Sequence, residues 1–300
     1  MGTARYAVEL TNDPLESHVL VDREADARVT IAPARGGMVT RFDVRGAPVL
    51  YLDEATLRDP TKNVRGGIPV LFPIAGPLRD DRYLVDGAPR IMKQHGYARN
   101  RAWPATFTKE GDHLAMLGMD LLPDAASRAQ YPFDVVVRMI HSLEGGALTI
   151  QRDVANRGAV PAPIQPGLHP YFFVDDARKH DARVETNATR GWDNVAKREV
   201  DVTPPIALDV PELDLHLLDH STPGEALPVR ATLHRPGRPS VRLEYSGDHD
   251  VLVLWTLAGR DFVCVEPWVG RAGALSDGNA LLVPPSSRHV SRVTIALVDP

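Results

Sequence analysis

Apolar residues in this chain recur at every second position rather than every third or fourth. Phe133, Val135, Val137 and Met139 fall on one side of an extended segment, with Asp134 and Arg138 on the other. Val241, Leu243 and Tyr245 alternate in the same way with Arg242 and Glu244. This period predicts half-buried β-strands, because successive side chains of a strand point to opposite faces. Leu148-Thr149-Ile150-Gln151 and Val293-Thr294-Ile295-Ala296-Leu297 repeat the pattern, whereas Val251-Leu252-Val253-Leu254-Trp255 is apolar throughout and predicts a strand covered on both faces. Turn formers separate the runs: Glu144-Gly145-Gly146, Asn156-Arg157-Gly158, Pro236-Gly237 and Ser246-Gly247-Asp248. Helical periodicity is scarce; Ala125 to Gln130 predicts a short helical turn, and Asp175 to Pro228 reads as long loops. The 26 Pro and 23 Gly are spread along the chain rather than gathered into a linker. The pattern therefore predicts an all-β fold, one large antiparallel β-sandwich spanning residues 1–300 as a single domain.

Charge and cysteine usage narrow the partners. A formal net charge of -5 gives no electrostatic footprint for nucleic acid or an anionic membrane. No run approaches the roughly 18 uninterrupted apolar residues of a membrane span. Cys264 is the sole cysteine, so no intrachain disulfide forms, and Met1 to Tyr6 lacks the apolar core of a secretion signal. A reducing cytoplasm is the expected compartment.

Two short segments place one titratable group each among apolar neighbours: Leu168-His169-Pro170-Tyr171-Phe172 and Cys264-Val265-Glu266-Pro267-Trp268. A buried imidazole or carboxyl needs a partner, a ligand or a shifted pKa to offset its desolvation. In a strand, Cys264, Glu266 and Trp268 share one face, so the carboxyl sits beside a thiol and an indole and its pKa should rise above about 4.3. The plainer reading is a rim ion pair between Glu266 and Arg271. His169 offers a group that changes charge near pH 7 and delivers a proton; its plainer reading is a satisfied core histidine. Pro170 removes a ladder donor and puts this segment at a sheet edge or mouth.

A third segment, Gln94-His95-Gly96-Tyr97-Ala98-Arg99-Asn100, bunches polar groups around a glycine, as suits a loop gripping hydroxyls. Arg65, Arg79, Lys93 and Arg99 lie close enough in sequence to form a cationic rim for an anionic sugar. Arg65-Gly66-Gly67-Ile68-Pro69 lacks the Lys-Ser/Thr ending of a phosphate-cradling loop and reads by spacing as a turn. Two histidines and a carboxylate are also a metal-binding set, but no H-x-H or H-E-x-x-H spacing occurs, and no G-x-S-x-G points to nucleophilic catalysis. No metal and no cofactor are expected.

Together these segments resemble the galactose mutarotase-like (aldose 1-epimerase) superfamily, over roughly Arg35 to Leu297 and in the family's order. Arg65-Gly66-Gly67-Ile68-Pro69-Val70-Leu71-Phe72-Pro73 and Gln94-His95-Gly96-Tyr97-Ala98-Arg99 are similar to the R-G-G-x-P-x-x-F-P and Q-H-G-x-A-R segments of hexose-6-phosphate mutarotase-like members. Pro73 to Arg79 and Tyr83 to Gly87 resemble instead a branch of uncharacterised aldose 1-epimerase-like proteins. The resemblance implies a β-supersandwich with an open, metal-independent sugar cleft, His169 as general acid and Glu266 as general base. It further implies that Gln94, His95, Arg65 and Arg99 hold substrate oxygens, with Asp214, or else Asp193, binding a sugar hydroxyl. The expected partner is a small-molecule aldose or sugar phosphate, and the chain a monomer or weak homodimer. The rival reading is a carbohydrate-binding module in which Trp103, Tyr171 and Trp268 stack on a sugar that is not turned over.

Overall fold

The computed structural model describes residues 4–220 and 229–298. Its strands assemble into antiparallel sheets, the largest having nine, eight and five strands. The nine-stranded sheet is built on the alternating segments read from sequence: Val135–Glu144 pairs with Ala147–Asn156, which pairs with Arg288–Val298, which pairs with Ser240–Tyr245. Ala147–Asn156 keeps its period of two, with Leu148, Ile150, Arg152, Val154 and Asn156 buried. The five-stranded sheet runs in chain order from Tyr6–Thr11 to Ala47–Pro48.

The eight-stranded sheet includes the run Arg190–Asp193, Glu212–Leu217, Val251–Leu257, Phe262–Trp268, Gly167–Leu168 and Val70–Leu71, with Tyr171–Phe173 also paired to Phe262–Trp268. Its two faces differ. Leu215, Leu217, Leu252, Leu254, Val263 and Val265 enter the main core cluster together with Val137, Ile150 and Ile295 of the nine-stranded sheet and Leu20, Val29 and Phe42 of the five-stranded one. A single apolar layer thus joins the three large sheets, and the alternate residues of the eight-stranded sheet are left to face a cleft.

Ala125–Gln130 is the predicted helical turn, started by a capping box in which the Asp124 carboxylate accepts from Ser127 N–H and Ser127 Oγ accepts from Asp124 N–H. The expectation of long loops from Asp175 to Pro228 needs correction: up to His220 this stretch holds a 3₁₀ turn and five short strands, which carry one end of the nine-stranded sheet and one end of the eight-stranded sheet. Their brevity, two to six residues each, left too few alternations to read. Residues 221–228 lie outside the described part. Among the described residues no helix is long and apolar enough to cross a membrane.

Candidate active site

Residues opposite one another in antiparallel strands project from the same face, so the register of the eight-stranded sheet reads as rows across the cleft floor. Asp214 stands opposite Trp255, Trp255 opposite Cys264, and Cys264 opposite Tyr171. In the next row His216 stands opposite Val253 and Val253 opposite Glu266. In the third, Val251 and Gly167 flank Trp268. His169 follows directly on Gly167–Leu168. The walls come from loops: Asn63, Val64 and Arg65 on one side, Pro77, Gln94, His95 and Arg99 on another, and Asn194. The open cleft holds about 370 Å³, within the usual range of small-ligand sites.

Glycine decides how closely the walls approach. A Cβ on Gly96, at φ 68°, would lie 2.2 Å from the carbonyl oxygen of Phe72, and one on Gly66, at φ 128°, would lie 2.5 Å from Cα of Leu52. Only glycine lets the loops carrying His95 and Arg65 sit against the sheet there. His95 itself has φ 68°. Its Nδ1 accepts a hydrogen bond from Gly76 N–H at 3.0 Å, so the neutral ring carries its proton on Nε2. Burial, with the charges of neighbouring groups, holds His95 well below its ordinary pKa, which makes it a neutral hydrogen-bond donor.

Glu266 is 1% exposed and His169 8%. His169 Nδ1 lies 3.4 Å from Glu266 Oε1 and has no hydrogen-bond partner; Glu266 Oε2 accepts from Trp268 Nε1–H at 3.1 Å. Burial, reinforced by the negative charge of Asp214, pushes the Glu266 carboxyl well above the usual carboxylate range. Burial, with Arg99 next, pushes His169 down to about 3. This corrects the expectation that His169 titrates near pH 7, because the flanking apolar strand removes the water that would solvate an imidazolium. It also replaces the rim ion pair with Arg271: among the described residues Glu266 pairs with no arginine, and its ion-pair neighbour is His169. The imidazole stacks on Tyr171, with centroids 4.6 Å apart, and meets Trp255 edge-on.

Asp214 lines the cleft, whereas Asp193 turns away and accepts backbone N–H bonds from Val195 and Ala196 at 2.9 Å. Although burial opposes it, hydrogen bonds from His216 (3.1 Å) and Asn194 (2.6 Å) hold Asp214 below its ordinary pKa. The cationic rim contracts to two groups. Lys93 pairs with Asp81 and Arg79 with Asp277, while Arg65 and Arg99 line the cleft without a carboxylate partner among the described residues. Arg65 lies over the Trp255 ring, and Arg99 donates to the Gln94 carbonyl. Trp103 leaves the stacking set: it is fully buried and its indole N–H is spent on the Ala98 carbonyl. His216, Asn194 and Trp255 are cleft residues that sequence reasoning missed. The alternation of Asp214 with His216 was the available signal for one of them.

Comparison with known proteins agrees with this architecture. The Slr1438 protein from Synechocystis sp. PCC 6803 is similar over 100% of this chain and 97% of its own, at 32% identity and a TM-score of 0.87. Galactose 1-epimerase from Lactobacillus acidophilus NCFM shares the fold, with a TM-score of 0.73 at 16% identity over 98% of both chains. The chromosomal LacX protein of Lactococcus lactis subsp. lactis is 24% identical over 237 residues, 72% of this chain and 78% of that protein. The Aldose 1-epimerase family profile matches residues 18–280, and the chain belongs to the aldose 1-epimerase family.

Proposed function

We propose that this protein, acting as a single domain, interconverts the α and β anomers of a hexose, with Glu266 and His169 moving the protons. The observation that carries this reading is the buried pair itself: a carboxyl and an imidazole 3.4 Å apart, facing a hexose-sized cleft lined by hydroxyl-binding groups. Raising the carboxyl and lowering the imidazole both favour keeping the pair's proton on Glu266 at rest. In the reactive arrangement that proton sits on His169. Glu266 takes the proton of the anomeric hydroxyl, the C1–O1 bond becomes a carbonyl, the C1–O5 bond breaks, and His169 protonates O5. Rotation about C1–C2 presents the other carbonyl face, and the transfers reverse on closure. Ring opening leaves both groups neutral, the state that burial favours, which offsets the cost of first placing the proton on His169. His95 through Nε2–H, Asp214, Gln94 and Asn194 hold hydroxyls, and Trp255, Tyr171 and Trp268 supply apolar surface for the ring.

The preferred substrate in this reading is a hexose 6-phosphate. Arg65 and Arg99 are two guanidinium groups on the cleft wall with no carboxylate partner among the described residues, and a phosphate would take charge-assisted bonds from both. Polarimetry of freshly dissolved α-glucose, α-galactose and glucose 6-phosphate, with and without protein, tests the reaction. Comparison of kcat/KM for glucose and glucose 6-phosphate in wild type and Arg99→Ala tests the anion. The expected result is a preference for the phosphate that Arg99→Ala selectively erodes; equal wild-type values for the two sugars would discard the phosphate.

A further inference from the structure

Cys264 takes no part in the proton transfers described above, yet it lies beside the groups that do. It shares the sheet face of Glu266, and its thiol, an imidazole nitrogen of His169 and a carboxyl oxygen of Glu266 all lie within 4.8 Å of one another. All three residues are buried, and Nδ1 of His169 has no hydrogen-bond partner. We propose that this trio is a binding site for one soft divalent cation, Zn²⁺ or Cd²⁺, whose occupation shuts the cleft to sugar.

The donor set selects the ion. Thiolate, imidazole and carboxylate are the ligands zinc takes, at about 2.3, 2.0–2.1 and 2.0–2.2 Å. Those lengths put neighbouring donors roughly 3.3–3.7 Å apart around a tetrahedral ion, and the His169–Glu266 separation is already 3.4 Å. Only the thiol has to close in. Calcium and magnesium demand oxygen ligands and are not matched by sulfur and nitrogen. Charge balance is met as well: thiol and carboxyl each release a proton to solvent, thiolate and carboxylate neutralise the dication, and the imidazole binds through its lone pair. The filled site is neutral, so burial does not expel it as it would a bare cation. The fourth position faces the cleft, where the sugar would react. The plainer reading of Cys264 is a small apolar filler between Tyr171 and Phe262.

Binding and inhibition separate in the test, because only inhibition rests on the proposed reaction. Chelator-stripped wild-type protein is titrated with Cd²⁺ and followed by near-ultraviolet thiolate-to-cadmium charge-transfer absorption and by thermal unfolding. The expected result is a band that saturates at one ion per chain together with a rise in Tm. Outer-sphere changes already cost about 10–100-fold in metal affinity, so loss of the thiol in Cys264→Ala should raise the Zn²⁺ inhibition midpoint at least tenfold while metal-free turnover stays at the wild-type level. If that variant does not fold, a band weakened in Glu266→Gln supports the site equally. Absence of the band at saturating Cd²⁺, or an unchanged Zn²⁺ midpoint in folded Cys264→Ala, overturns it. A cadmium band in a protein that mutarotates no sugar keeps the site and discards the reaction.

Discussion

Asp248 and Glu266 are both carboxyls largely removed from water beside histidines, one at the nine-stranded sheet and the other in the cleft. Asp248 lies 2.8 Å from His289 Nε2 in a cluster with Ser246, His249 and Arg152, whose guanidinium donates to Ser291. Burial pushes Asp248 up, but hydrogen bonding to His289 and the charge of His249 outweigh it and hold the carboxylate well below its usual range. Glu266 receives one donor, from Trp268, and faces an imidazole at ion-pair distance that is itself desolvated; its carboxyl goes up instead. The same residue types thus give a carboxylate held ionised in one place and a carboxyl pushed toward keeping its proton in the other. What differs is the charge set around each carboxyl: two imidazoles, His289 at 2.8 Å and His249 at 3.5 Å, lie beside Asp248, whereas Glu266 has one at 3.4 Å and the negative charge of Asp214 nearby.

The largest expected effects test this contrast by substitution. Glu266→Gln and His169→Ala should each lose about 10²- to 10⁴-fold of catalysed mutarotation, because each removes one proton-transfer partner, with Tm close to wild type. Asp248→Asn should do the reverse, costing about 1–3 kcal/mol of stability as His289 loses its charged partner, with turnover per folded molecule unchanged. Chemical denaturation beside polarimetry reads both; a fully active Glu266→Gln variant, or an inactive but stable Asp248→Asn variant, would break the contrast.

The buried histidines make a second, smaller effect, read as Tm against pH. His141, His220 and His249 are each held at about 4 by burial, far below the free value of about 6.5. The unfolded chain therefore binds more protons than the fold between pH 6.5 and 4, so stability should fall as pH drops through that window. Glu266 acts with the opposite sign, its raised carboxyl contributing stability that is lost as pH rises. A Tm that stays flat from pH 7 to 4.5 would contradict the neutral assignment of the three histidines.

Much of the cleft was legible in the chain because it is written in a period of two. Cys264, Glu266 and Trp268 share a face by alternation alone, and that face proved to be the floor. Gln94-His95-Gly96 read as a loop gripping hydroxyls, and the fold adds why its glycine is needed, since only glycine tolerates the Phe72 carbonyl at that distance. The walls were less legible. Asn194 lies in the turn after a strand of four residues, and on the floor beside it Asp214 and His216 come from a strand of six whose partners lie elsewhere in the sequence; Trp103 reads as a platform until the Ala98 carbonyl claims its N–H. The magnitude of burial was hidden too: sequence placed an imidazole beside aromatics but not the Tyr171 ring stacked on it, and desolvation sets its pKa.

The smallest expected effect is no loss at all. Chelation with EDTA should leave mutarotation intact, since acid–base ring opening needs no Lewis acid. Loss of activity restored by one divalent ion would reassign the roles of His169 and Glu266.

Infrared difference spectroscopy at pH 7 tests the contrast between the two carboxyls most directly. Wild type minus Glu266→Gln should show the carbonyl stretch of a protonated carboxylic acid, and wild type minus Asp248→Asn the paired stretches of a carboxylate. A carboxylate signature from Glu266 would contradict the claim that the cleft pair holds its proton on the carboxyl at rest.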